Sequence, residues 1–141
     1  MTPGSLLCQA LRVHLVPNDR SSRHVLDGER VCRAISGIGE ADNVTTWSGR
    51  FGLLGDPSRL TLLLSIHHAG PISVTDLAVA TGMNDTTVSQ ALRLLRASGT
   101  VSAERDGRVI RYVLADQDLV ELLERVSSRS ASAERFLAAH P

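Results

Sequence analysis

The 141-residue sequence predicts a mainly α fold with one small β-hairpin, on three observations. Over residues 84–98, Val88, Leu92 and Leu95 recur at i, i+4 and i+7 with Ala91 beside them, which gives a helix one apolar stripe. Ahead of it, a shorter helical pattern around Leu77 and Ala78 stops at Gly82, so only a tight turn separates the two helices. Behind it, Asp106-Gly107 lies between two β-prone runs, residues 100–105 and 108–113; a two-residue hairpin turn needs positive φ, and Asp-Gly supplies it. Two helices and a hairpin in this order make a winged helix-turn-helix. The chain as a whole reads α-α-α-α-β-β-α behind an N-terminal extension. Three regions are expected: an extension over 1–40, partly mobile or helical; the winged domain over 41–127; and a tail over 128–141.

Each element has a local reason. Residues 1–23 hold no sustained period and are broken by Pro3 and Pro17. Val31, Ile35 and Ile38 begin a helical spacing, which predicts a helix over about 25–36 ended by Gly37 and Gly39. The next helix runs over 43–54, with Trp47, Phe51 and Leu54 on one face. Two of the chain's four aromatic residues sit there, which marks a core or subunit contact rather than a base-stacking platform. Asp56-Pro57 starts the third helix, because Asp caps and Pro suits the first helical position. Leu60, Leu63, Leu64 and His67 are its expected inner face, and Gly70-Pro71 its stop. Adjacent His67 and His68 point about 100° apart, so they are read as helix-end histidines and not as a chelating pair.

Ser73-Val-Thr-Asp76 resembles a capping box and opens a helix over 74–81. Asn84 or Asp85 caps the next one, which leaves Thr86, Thr87, Ser89, Gln90 and Arg93 facing out and Gly99 as the stop. The last helix starts near Asp116 with Leu119, Leu122, Leu123 and Val126 as an apolar seam.

Composition excludes several classes of function. The sequence has no lysine, which removes Schiff-base chemistry and a Walker-type phosphate loop. No nucleophile elbow, HExxH or dinucleotide fingerprint occurs, so no enzyme is expected. No apolar run approaches the roughly 18 residues of a membrane span. The first fifteen residues make a poor signal peptide, and a cytoplasmic location is expected. Cys8 and Cys32 make neither a disulfide framework nor a CxxC site.

Net charge is zero overall but unevenly spread: residues 84–112 carry a net +2 and residues 113–126 a net −3. A locally basic face on a neutral chain suits a specific DNA binder with modest non-specific affinity. Glutamine can read adenine and arginine guanine bidentately, and hydroxyls suit phosphate. Arg105, Arg108 and Arg111 join the helix residues as contacts from the hairpin, although Arg111 also stands where it can pair with Glu104. A winged-helix module that binds protein partners instead of DNA is the competing reading, kept open by the neutral charge.

Taken together, Leu54-Gly-Asp-Pro-Ser-Arg-Leu60, Ile72-Ser-Val-Thr-Asp-Leu-Ala78, Thr87-Val-Ser-Gln-Ala-Leu-Arg-Leu-Leu95 and Arg105-Asp-Gly-Arg-Val-Ile-Arg-Tyr112 resemble the ArsR/SmtB family of bacterial metalloregulatory repressors. The resemblance covers about residues 43–126. It implies a homodimer paired through its first and last helices, here Trp47, Phe51, Leu119, Leu122, Leu123 and Val126. It also implies a palindromic double-stranded operator and release from DNA by an inducer, with a divalent metal ion as the candidate.

The family's metal sites match poorly. Ser73 and Thr75 stand where one site has its two cysteines. A second site uses an Asp-x-His pair early in the final helix, and the segment here is Asp116-Gln117-Asp118, with Arg129 and Ser132 where the completing ligands are expected. An oxygen-only pair favours hard cations. Cys8, His14, His24 and Cys32 form a further candidate metal set ahead of the core, in no compact zinc spacing. Cys8 or Cys32 as a thiol-redox sensor is the alternative input.

Overall fold

A computed structural model describes residues 17–20 and 23–139, with side chains placed as far as 128. The chain divides into two compact units, Met1–Gly49 and Arg50–Pro141. In the first unit, a single 3-10 turn (Asn18–Arg20) precedes helix α1, Gly28–Ile38. Asp27 caps α1 by accepting from the Arg30 N–H at 3.0 Å. Gly39 ends the helix with φ of 78°, and the Asn43 side chain donates to the Ile38 carbonyl at 2.9 Å. Cys32 is the buried residue of α1. Helix α2, Ala41–Leu54, starts two residues earlier than its periodicity suggests and runs on into the second unit.

The second unit is the winged domain. Its elements are α3 (Pro57–Ala69), β1 (Ile72–Ser73), α4 (Val74–Thr81), α5 (Asp85–Ala97), β2 (Val101–Asp106), β3 (Val109–Leu114) and α6 (Gln117–Ala139). The capping signals act as expected. Asp56 accepts from Arg59 N–H at 2.9 Å, Ser73 from Asp76 N–H at 3.2 Å, and Asn84, rather than Asp85, from Thr87 N–H at 2.8 Å. Each satisfies a donor that the first turn of a helix leaves unpaired, worth about 1 kcal/mol. Gly82 closes α4 in the left-handed region, at φ 73° and ψ 10°. That is the tight turn between the two helices of the helix-turn-helix.

Helix α3 lies at the centre, against α4, α5, α6 and β3. Its inner face is Leu62, Leu63 and Ile66, while Leu60 and Leu64 are only half-buried. The expected stripe of Leu60, Leu63, Leu64 and His67 is therefore rotated from the real one. This helix is apolar around most of its circumference, so spacing alone does not orient it. Leu77, Ala78, Val88, Leu92, Leu95, Val101 and Leu123 complete the core. Leu92 is 1% exposed, and truncating such a leucine to alanine costs about 2–5 kcal/mol.

The β part is larger than a hairpin: three antiparallel strands in the order β1-β3-β2. The two-residue β1 pairs Ile72 with Tyr112 and Ser73 with Arg111. It is too short to show a period in sequence. The wing turn is also displaced by one residue. Asp106 pairs with Val109, so Gly107-Arg108 forms the loop, with Gly107 at φ 62°. Asp106 is thus the last strand residue, and Arg108 stands at the tip.

The junction between α5 and β2 is closed by a paired-carbonyl C-cap. Gly99, at φ 76°, donates to the Arg96 carbonyl at 3.0 Å and Thr100 to the Leu95 carbonyl at 2.9 Å. Thr100 is 2% exposed; its hydroxyl meets that of Ser98 at 2.9 Å, and its carbonyl accepts from Ala115 N–H at 2.9 Å. The last turn of α5 and both strands of the wing therefore share one hydrogen-bonded corner.

Candidate nucleic-acid interface

With Val88, Leu92 and Leu95 facing inward, the helical period turns Thr86, Gln90 and Arg93 outward as one stripe. All three are exposed, as are Thr87 and Ser89 beside them. A second row, Ser89, Arg93 and Arg96, follows the side of α5 that faces the wing. This row lines an open cleft of about 540 Å³ whose far wall is Tyr112 on β3. Arg96 and Tyr112 are additions to the residues singled out from sequence. A signal for Arg96 was present, since it lies one helical turn past Arg93. Nothing local marks Tyr112, which reaches the cleft only through the strand order.

The three wing arginines have different surroundings. Arg105 opposes Ile110 on the hairpin face that also carries Tyr112, and Arg108 occupies the loop; both are exposed. Arg111 opposes Glu104 in register, yet its Nε donates to Asp106 Oδ2, two residues along the same strand face, at 3.2 Å. Its guanidinium is therefore already matched by an internal carboxylate. Among the described residues Arg93, Arg96, Arg105 and Arg108 make no ion pair.

The expected metal residues are arranged otherwise. Asp116 and Asp118 both face Arg50 of α2. Arg50 Nε donates to Asp116 Oδ2 at 2.9 Å, and Nη2 lies 2.8 Å from Asp118 Oδ2 and 3.4 Å from Asp116 Oδ1. The Asp116 hydrogen bond is the largest of the effects that raise the Arg50 pKa above the usual guanidinium value. Asp116 Oδ1 also accepts from Asp118 N–H at 3.1 Å. The space between the two carboxylates thus already holds a cation. No three His, Cys, Asp or Glu side chains among the described residues converge to hold a metal ion. The donor set does not fit one. His24 is exposed and Cys32 buried; Cys8 and His14 lie outside the described residues.

The expected dimer seam divides in two. Leu119 and Leu123, four apart on α6, are 0% exposed within the protomer, and Leu123 packs in the core around α3. Leu122 is half-buried and Val126 is 40% exposed. On α2, Trp47 is half-buried and Phe51 is 57% exposed. Reading all six as one seam misses that an amphipathic helix can offer one leucine row inward and a second outward. No helix among the described residues is long and apolar enough to cross a membrane.

Comparison with known proteins agrees with this geometry. A profile described as the MarR family matches residues 56–109, from the α3 cap to the far side of the wing turn. The chain is similar to the HTH-type transcriptional regulator NmtR of Mycobacterium tuberculosis, 46% identical over 50% of this chain and 58% of that protein. It is also similar to a transcriptional repressor SmtB homolog of Synechocystis, 38% identical over 55% of this chain and 58% of that one. The match thus spans little more than half the length of either. Among solved structures, it resembles the homodimeric winged helix-turn-helix DNA-binding domain of a possible ArsR-family transcriptional regulator from Mycobacterium bovis. That likeness has a TM-score of 0.50 and 30% identity, over 72% of this chain and 94% of that one. With the helix-turn-helix, the wing and these relatives in agreement, the chain belongs to the ArsR/SmtB family of winged helix-turn-helix transcriptional regulators.

Proposed function

We propose that the chain is a homodimeric repressor that reads a palindromic operator with α5 in the major groove. The observation that carries this reading is the set of exposed arginines on α5 and the wing, Arg93, Arg96, Arg105 and Arg108, which have no carboxylate partner among the described residues. Thr86, Gln90 and Arg93 are the base-reading row. Each good bidentate base contact discriminates by about 1–3 kcal/mol. Ser89, Arg96 and Tyr112 line a cleft fit to seat a backbone phosphate, with Thr87 at the helix start as a further hydroxyl donor. Arg105 and Arg108 extend the same basic surface along the wing. Arg111, held by Asp106, contributes less. A DNA-reading role places the protein's work in the cytoplasm.

Two copies of α5 must sit about 34 Å apart to enter successive turns of one groove face. The exposed apolar residues of α2 and α6, Phe51 and Val126 with half-buried Leu122, supply the surface for pairing. Phe51→Asp is expected to halve the solution mass measured by light scattering and to weaken operator binding with it. An unchanged mass removes Phe51 from the seam.

The direct test is fluorescence anisotropy with duplex DNA from upstream of the protein's own gene, against a shuffled duplex of equal length. Tight binding to the first that weakens steeply with salt is expected. Affinity for both duplexes no better than for a neutral carrier at low salt overturns the reading in favour of a protein-interaction module.

A further inference from the structure

We propose that Arg50 is a built-in cation that fills the acidic pair at the start of α6 and makes that junction unresponsive to divalent metal. For its effect on operator affinity, this inference rests on the DNA-binding function proposed above. The family resemblance implies a metal ion held by residues early in the final helix. Here the two acids at that place are held by a guanidinium of the same chain.

The geometry leaves an incoming ion little to bind. Asp116 and its partner Arg50 have side chains only 20% and 19% exposed, and both Asp116 oxygens are engaged, Oδ2 by Arg50 Nε and Oδ1 by Asp118 N–H. Asp118, 58% exposed, spends one oxygen on Arg50 Nη2 at 2.8 Å. A metal ion would have to expel a fixed positive charge that holds both carboxylates through separate nitrogens. That charge does not leave by deprotonation, because arginine stays protonated at every pH the protein meets. No third ligand converges there among the described residues.

A second arginine fixes the same end of α2. Arg59, at the start of α3, donates through Nε to the Leu53 carbonyl at 2.9 Å and through Nη2 to the Gly52 carbonyl at 3.1 Å. It thereby occupies carbonyls that the last turn of a helix leaves unpaired. The final turn of α2, the first turn of α3 and the first turn of α6 are tied by two guanidinium groups. This is a clamp and not a switch, so an inducing signal enters the protein elsewhere.

The test is a mutant cycle read by thermal unfolding of the full chain without DNA, so a failure of operator binding leaves it intact. Arg50→Met is expected to lower Tm by about 3–8 °C. Asp116→Asn with Asp118→Asn on that background is expected to restore a substantial part of the loss, because the stranded carboxylates are then neutral. Should Arg50→Met fail to fold, Arg50→Lys, which keeps the charge but not the fork, carries the cycle with a smaller loss. Additive effects, with no coupling between Arg50 and the aspartates, overturn the clamp.

Metal is tested separately. Zn(II), Ni(II), Co(II) and Mn(II) are titrated into the wild-type protein and into Asp116→Asn, with direct calorimetry and operator anisotropy as readouts. Calorimetric binding that is absent, or identical in the two proteins, supports the proposal, as does an operator Kd that moves by less than twofold through this site. Metal binding or operator release in the wild type that Asp116→Asn abolishes overturns it.

Discussion

The same residue type is used in opposite ways in two regions of the winged domain. At the junction of α2 with α6, Arg50 is about one-fifth exposed and touches two carboxylates. On α5 and the wing, Arg93, Arg96, Arg105 and Arg108 are exposed and make no ion pair among the described residues. The first arrangement is complete within the protein. The second leaves its charge open to an anion from outside, as the proposed operator binding requires. Arg111 stands between the two cases, on the wing but turned back to Asp106 at 3.2 Å. Which arginines are matched inside the protein is therefore a matter of the carboxylates they reach, and residue type alone does not reveal it.

This contrast can be broken in three graded ways. Arg93→Ala is expected to have the largest effect on DNA, about 1–3 kcal/mol of specific binding, with little change for the shuffled duplex. Equal binding by this variant and the wild type would move Arg93 out of the reading row. Arg105→Ala and Arg108→Ala are expected to weaken binding alike for all sequences, each lowering the salt slope by about 0.9. A loss confined to one sequence would make the wing a base reader instead. Asp106→Asn is the finest test. It releases Arg111, so the salt slope should steepen by at most about 0.9. No change in slope would mean that the internal pair does not restrain Arg111.

Local chemistry explains which of these features the sequence already displays. Asp56, Ser73 and Asn84 bond to backbone groups three residues away, and Gly82 and Gly99 stop helices by their own φ; such signals need no knowledge of the rest of the chain. The apolar stripe of α5 and the outward row beside it are legible for the same reason. Features that depend on distant chain are not. Asp116 and Asp118 read as a pair of metal ligands because their partner lies 66 residues back from Asp116, in a helix whose spacing gives no hint of it. The two residues of β1 became strand only by meeting β3. The inner face of α3 was hidden by leucines on several sides. The one-residue shift of the wing turn shows that Asp-Gly marks a hairpin well and its register less well.

Ser73 has two roles. It is the last residue of β1, opposite Arg111 of the wing, and its hydroxyl also caps α4 through Asp76 N–H at 3.2 Å. The sheet and the helix-turn-helix are thus joined at one point, and the corner at Thr100 joins them at another. Two such joints restrict how far the sheet can shift against the helix-turn-helix. If this part of the protein reaches a duplex as one body, sequences whose grooves are costly to open or narrow to fit it are expected to bind more weakly, even at base pairs that no side chain touches.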